Sequence, residues 1–278
     1  MIYREEKIRL DYSKVDAPDH GHEALFKVFI ANTDKEMKDK YLPKRPTVIV
    51  CPGGGYTGLS EREAEPIAMK YLARGFNACV IYYALKPNEF PTALLETLSA
   101  IKYLRENAEE LYVDPDKIYV CGFSAGGHLA ATVGTLWHGK ESEKYFGDTE
   151  KVKPNGLILS YPVISGGEYA HRGSFDSLLG EGRKNDEKWI EYLSLENRVD
   201  EKTPRTFLWH TNCDTGVPCE NSLFFALQLR KHGVPIELHI FEKGHHGIAT
   251  ANKLTNDADF ALRTQSWLEM SADWIQEL

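Results

Sequence analysis

Four short stretches of this chain hold the residue types from which a nucleophilic active site can be made. The first, YVCGFSAGGHLAA at residues 119–131, sets one serine among three glycines directly after an apolar run. Gly122 to Gly126 form a G-x-S-x-G pattern, short enough to arise by chance. It counts only where a strand leads in and a helix leads out. A serine alcohol is barely nucleophilic at neutral pH and needs an adjacent base, itself oriented by a third group. FLWHTNCDTGVP (207–218) offers Asp214 and HIFEKGHHGIAT (239–250) offers His245 and His246, in the chain order nucleophile, acid, histidine. Taken alone, Asp214 has the make-up of a turn cap ahead of Pro218, and either histidine that of a loop residue. Three suitable types, in order and on three separate loops, are harder to dismiss. The fourth stretch, VIVCPGGGYTG (48–58), is glycine-rich, which lets backbone N–H groups approach a substrate closely. With the amide of Ala125, directly after the serine, Gly54 and Gly55 would form an oxyanion hole, and Tyr56 beside them is a candidate wall for substrate or a residue that only packs against the loop.

These loops need a frame. Two early segments, about 2–11 and 24–31, alternate like strands. From residue 47 apolar strands and amphipathic helices take turns: TVIVC, a helix over about 61–74, ACVIYY, a helix over about 91–108, KIYVCG, and a small-residue helix from Ala125 to about Trp137. GLILSYPV (156–163) is another strand. A polar, irregular insertion at about 165–204 follows, with Trp189, Tyr192 and His171 as candidate pocket contacts. RTFLWH (205–210), a helix over about 218–232, IELHIF (236–241) and a helix over about 257–276 complete the pattern. Continuous apolar strands alternating with helices predict an α/β fold with a mostly parallel sheet covered on both faces. In such sheets ligands bind beyond the carboxyl ends of the strands, so the loops after Cys51, Gly122, His210 and Phe241 should share one edge.

The 278 residues suit one large domain or two small ones; 42% are hydrophobic and 27% charged, as in soluble globular proteins. A net charge of −8, with no block of Lys or Arg, argues against nucleic acid or an anionic membrane as partner. No apolar stretch reaches the roughly 18 residues of a membrane span. The amino-terminal MIYREEKIRLDY lacks the apolar core of a signal peptide. The five cysteines, Cys51, Cys79, Cys121, Cys213 and Cys219, form no C-x-x-C pair and suit a reducing, cytoplasmic setting. Oligomeric state stays open, a homo-oligomer included.

Two other chemistries are weaker. Gly53, Gly55 and Gly58 satisfy G-x-G-x-x-G after a strand, but the next strand ends in Tyr82-Tyr83-Ala84 with no carboxylate for a ribose. His210, Cys213, Asp214, His245 and His246 are metal-ligand types without the H-x-x-x-H spacing that would hold them on one rigid element. Neither a cofactor nor a metal is expected.

Together the motifs resemble the α/β-hydrolases of the esterase/lipase superfamily, with PGGG (52–55) standing where many relatives carry HGGG. CPGGGYTGLSEREAEPIA, GFSAGGHLAA and GHHG further resemble bacterial carbohydrate esterases, including acetyl-xylan esterases. The resemblance runs from about residue 45 to the C-terminus. It implies a single α/β-hydrolase domain over 1–278 and a Ser124–His246–Asp214 triad. His246 is preferred over His245 because it directly precedes Gly247, as in the G-x-H-G form. The implied substrate is a short acyl ester, chiefly acetyl, of a sugar or oligosaccharide. An oligopeptidase-like serine hydrolase and a non-catalytic binding module on the same fold are the alternatives.

Overall fold

The structure, a computed structural model, describes residues 1–31, 44–258 and 262–277. Strands run over Ile2–Ile8 (β1), Ala24–Ile30 (β2), Arg45–Cys51 (β3), Asn77–Tyr82 (β4), Val113–Phe123 (β5), Gly156–Ser160 (β6), Thr206–Thr211 (β7) and Ile236–Phe241 (β8). Among the described residues they form one eight-stranded sheet in the order β1-β2-β4-β3-β5-β6-β7-β8. β1 pairs antiparallel with β2, and β2 with β4. From β4 to β8 every pairing is parallel.

Parallel strands need crossovers, which contain the helices Glu65–Ala73 (α1), Thr92–Glu106 (α2), Ala125–Leu136 (α3), Lys140–Phe146 (α4), Arg172–Arg183 (α5), Glu187–Tyr192 (α6) and Glu220–Lys231 (α7); Leu262–Gln265 (α8) and Trp267–Gln276 (α9) follow the last strand. Successive strand residues face opposite sides, so a run such as Val48, Ile49, Val50 feeds two cores at once. Ile49, Val120, Leu157 and Leu208 pack with Leu98 of α2, Leu129 of α3 and Phe225 of α7. Val48, Val50, Cys121 and Phe207 pack on the other face with Ile67 and Tyr71 of α1 and Trp267 and Ile275 of α9. None of the five cysteines is in a disulfide; Cys51, Cys79 and Cys121 are buried in these cores. No helix among the described residues is long and apolar enough to cross a membrane.

Three segments depart from expectation. The helix expected over 61–74 begins at Glu65, because Glu61–Glu63 forms a 3-10 turn that swings Glu63 into the interior. The insertion at 165–204 is not irregular: α5 and α6 occupy it, and Phe175, Leu178, Leu179, Leu193 and Leu195 are buried in the first core. The helix expected over 257–276 is seen as α8 and α9, with residues 259–261 outside the described residues.

His128, on the inner face of α3, ties the insertion to the sheet. Its Nε2 lies 2.9 Å from the Leu193 carbonyl and its Nδ1 3.0 Å from the Tyr56 hydroxyl. Burial lowers its pKa from 6.5 to about 4. A base with a depressed native pKa takes up its proton more readily unfolded, so stability falls as pH drops from 6.5 towards 4 and is full above that window. The group alone accounts for a loss on the order of 3 kcal/mol by pH 4. In urea denaturation at pH 7 and pH 4.5, the difference between the two pH values should shrink in His128→Gln. Equal differences in the two proteins would show that other groups carry the acid sensitivity.

Candidate active site

Ser124 is the single residue between β5 and α3. Its backbone lies at φ 53°, ψ −118°, a conformation that costs about 1–3 kcal/mol for a residue with a side chain. Its amide donates to the Ser160 carbonyl at 3.1 Å, and its own carbonyl accepts from the His128 and Val163 amides, both at 3.0 Å. The residues two positions to either side of it cannot carry a Cβ, one because of the turn itself and the other because of the end of β3. One on Gly122 would meet the Gly126 carbonyl oxygen at 2.1 Å, and one on Gly126 would meet the Cys51 oxygen at 2.2 Å. The two glycines of G-x-S-x-G are therefore steric requirements of the elbow.

The loops after β7 and β8 meet this serine. Ser124 Oγ lies 2.7 Å from His246 Nε2, and His246 Nδ1 lies 2.7 Å from Asp214 Oδ2. The second carboxylate oxygen, Oδ1, accepts the Gly216 and Val217 amides, both at 2.9 Å. Burial alone would raise the Asp214 pKa. Hydrogen bonds from His210 and His246, the charge of His246 and the Val217 amide overcome it and hold the carboxyl well below its usual range. His210 was not foreseen in this role. It is fully buried near the end of β7, with Nε2 3.3 Å from Asp214 Oδ2 and 2.9 Å from the Val217 carbonyl, and Nδ1 2.7 Å from Ser222 Oγ.

The glycine loop presses directly on the nucleophile: a Cβ on Gly53 would lie 2.9 Å from Ser124 Cβ and 2.8 Å from the Phe123 oxygen. Gly54 and Gly55 have φ of 134° and 66°, the region where glycine is favoured, and Ala125 is buried at the first position of α3. The Gly53 amide is already engaged, donating to Glu63 Oε2 at 2.9 Å.

Tyr56 is not a substrate wall. A positive φ of 58° turns it inward, where it is 2% exposed, edge-on to Tyr83 and His128, with its hydroxyl on His128. Trp189 and Tyr192 pack with one another and with Phe90, under the cations of Lys140 and Arg183. His171 is different. It is half-buried, its Nδ1 is 2.8 Å from Ser174 Oγ, and its pKa is lowered first by burial and then by the charge of His246. Ser174 Oγ in turn lies 3.9 Å from where a Gly55 Cβ would stand. The exposed His245 turns its Nδ1 to the His246 carbonyl at 2.7 Å. Cys213, also exposed, sets its Sγ 3.0 Å from the Glu242 carbonyl. A cleft of about 850 Å³ is lined by Lys27, Arg62, Met69 and Tyr82 among others and contains no member of the Ser124–His246–Asp214 chain.

Residues 34–229 match the family model described as BD-FAE. The chain belongs to the BD-FAE family. The structure of an acetyl ester-xyloside bifunctional hydrolase from Caldicellulosiruptor lactoaceticus has 38% sequence identity and a TM-score of 0.83, covering 99% of this chain and 96% of that one. With this likeness the BD-FAE chain has the α/β-hydrolase fold. Endo-1,4-beta-xylanase B of Butyrivibrio fibrisolvens is 37% identical over 217 residues, 75% of this chain and 33% of that protein. An acetylxylan esterase of Xylanibacter ruminicola is 28% identical over 229 residues, 80% of this chain and 45% of that protein. The chain thus spans between a third and a half of the length of these two curated relatives.

Proposed function

We propose that this BD-FAE member is a serine carboxylesterase that removes short acyl groups, chiefly acetyl, from sugars or oligosaccharides. The observation that carries the reading is the unbroken chain from Ser124 Oγ through the His246 ring to Asp214 Oδ2, at 2.7 Å and 2.7 Å. His246 Nε2 takes the serine proton as Oγ attacks the ester carbonyl. Asp214 holds Nδ1–H and stabilises the imidazolium that results. The carbonyl oxygen becomes an oxyanion, for which Ala125, Gly54 and Gly55 supply amide donors. The imidazolium then protonates the departing alcohol and leaves an acyl-serine. Water, deprotonated by the same histidine, releases the acid and restores Ser124.

The relatives' named substrates support an acetylated sugar, and so does the His171–Ser174 pair. A half-buried imidazole, braced by the buried Ser174 hydroxyl beside the glycine loop, matches a polyol's need for hydrogen-bond partners better than it matches a lipid chain. The test compares kcat/KM for aryl acetate, butyrate and octanoate, then follows acetate release from acetylated xylo-oligosaccharides. Acetate should be favoured over octanoate by at least about tenfold, with acetylated sugars cleaved. Preference for octanoate, with acetylated sugars left intact, would leave only a general esterase.

A further inference from the structure

Glu63 is a carboxylate in a place that solvation does not explain. It is 2% exposed, yet lies in the charged run SEREAEPIA, which reads as the solvated start of a helix. Each of its oxygens is matched by one donor from a different part of the site. Oε2 accepts the Gly53 amide at 2.9 Å, and Oε1 accepts the Tyr161 hydroxyl at 2.7 Å. The same Tyr161 hydroxyl that donates to Glu63 accepts the Ala249 amide at 2.9 Å. Ala249 follows His246 by three residues. The Tyr161 ring stands edge to face against the His246 ring, with centroids 5.2 Å apart. Tyr161 is itself held at φ 37°, in the loop leaving β6, whose last residue, Ser160, binds the Ser124 amide. Beside it Arg62 donates to the Gly247 carbonyl at 2.8 Å. One short turn therefore grips both the glycine loop and the histidine loop.

We propose that Glu63 is a positioning residue for the reaction. As an ionised carboxylate it locks the Gly53 amide away from the substrate and so sets the orientation of the Gly54 and Gly55 amides. Through Tyr161 it fixes the face against which the His246 ring turns. The Gly53 amide is a donor and the Tyr161 hydroxyl donates to the other oxygen, an arrangement that suits the anion. Burial pushes its pKa up, and the two hydrogen bonds and the charge of His246 work against that push. The anion also lies close enough to His246 to favour the imidazolium of the transition state.

The inference rests on the serine-esterase reading, and three variants separate the two. Ser124→Ala tests that reading alone; if it keeps its activity, both fall. With Ser124→Ala inactive, Glu63→Gln decides the present one. The glutamine keeps the shape but removes the charge and turns an amide N–H₂ toward one of the two donors. Active sites are titrated to completion with a fluorophosphonate, and kcat is expressed per titrated site. It should fall by about 10- to 100-fold with KM changed less than about threefold, because misdirected oxyanion donors act on the transition state. The affinity for an aryl boronic acid, a tetrahedral mimic, should fall in parallel with kcat/KM. A merely structural role would lower the number of titratable sites and leave turnover per site intact. That outcome, or a loss confined to KM, overturns the proposal. If Glu63→Gln yields no folded protein, Tyr161→Phe takes its place, removing one donor to Glu63. A smaller drop in kcat per site upholds the proposal and an unchanged value overturns it.

Discussion

Ser124→Ala should leave a folded protein whose ester turnover is lower by about a millionfold, the scale of loss seen when a serine nucleophile is removed from a working triad. The substitution deletes one oxygen and its 2.7 Å bond to His246 Nε2 and nothing the fold depends on. The strained backbone at φ 53° is set by its neighbours: the Ser160, Val163 and His128 contacts are all main-chain, and Gly122 and Gly126 remain in place. Thermal unfolding should therefore move little while turnover of aryl acetate collapses. Because nucleophile, base and acid act as a unit, the double variant Ser124→Ala/Asp214→Asn should be no slower than Ser124→Ala alone. Retention of a tenth of wild-type turnover in the single variant would sink the nucleophile assignment. A further drop in the double variant would mean that Asp214 acts on some other step.

What could be read from residues alone follows from which forces are local. Gly122 of G-x-S-x-G is a local steric requirement, since its Cβ would meet the Gly126 carbonyl within the same turn, so that half of the elbow is visible before any tertiary contact, whereas Gly126 is required by the end of β3. The order of Asp214 and His246 on later loops could be read because a parallel sheet brings all its strand ends to one edge. Burial of individual polar side chains is not local, and there the reading ran out. Tyr56 adjoins the glycine loop in sequence but is turned into the core by its own backbone. Glu63 sits in a charged run and has its function only through Gly53 and Tyr161, ten and 98 positions away. His210 was weighed only as a metal ligand, because nothing around it in sequence shows that it lies under the Asp214 carboxylate. The insertion left a fainter trace. Phe175, Leu178 and Leu179 have the i, i+3, i+4 spacing of one helical face, but Gly173, Gly180, Gly182 and the surrounding charges hid the period.

Asp214→Asn should lower kcat by about ten-thousandfold and change KM little. The effect comes from the tautomer of His246 and not from a lost contact. Asp214 Oδ2 accepts a hydrogen bond from His246 Nδ1–H, which leaves Nε2 unprotonated and able to take the proton of Ser124. Two amides pin the other oxygen, Oδ1, so an asparagine must keep its own carbonyl there and turn its N–H₂ toward Nδ1. Nδ1 then becomes the acceptor, and Nε2 carries the hydrogen and faces Ser124 as a donor. His210 Nε2 also lies against Oδ2, but it has the Val217 carbonyl as an acceptor and so keeps a partner in the variant. The wild-type carboxyl is held well below its usual range, so Asp214 stays ionised throughout the range in which an esterase is assayed. Raising the pH should therefore do nothing for the wild type through this group. The kcat of both proteins, measured with aryl acetate from pH 6 to pH 9, tests the argument. A loss of less than tenfold would overturn the role of Asp214 as the acid that sets the His246 tautomer.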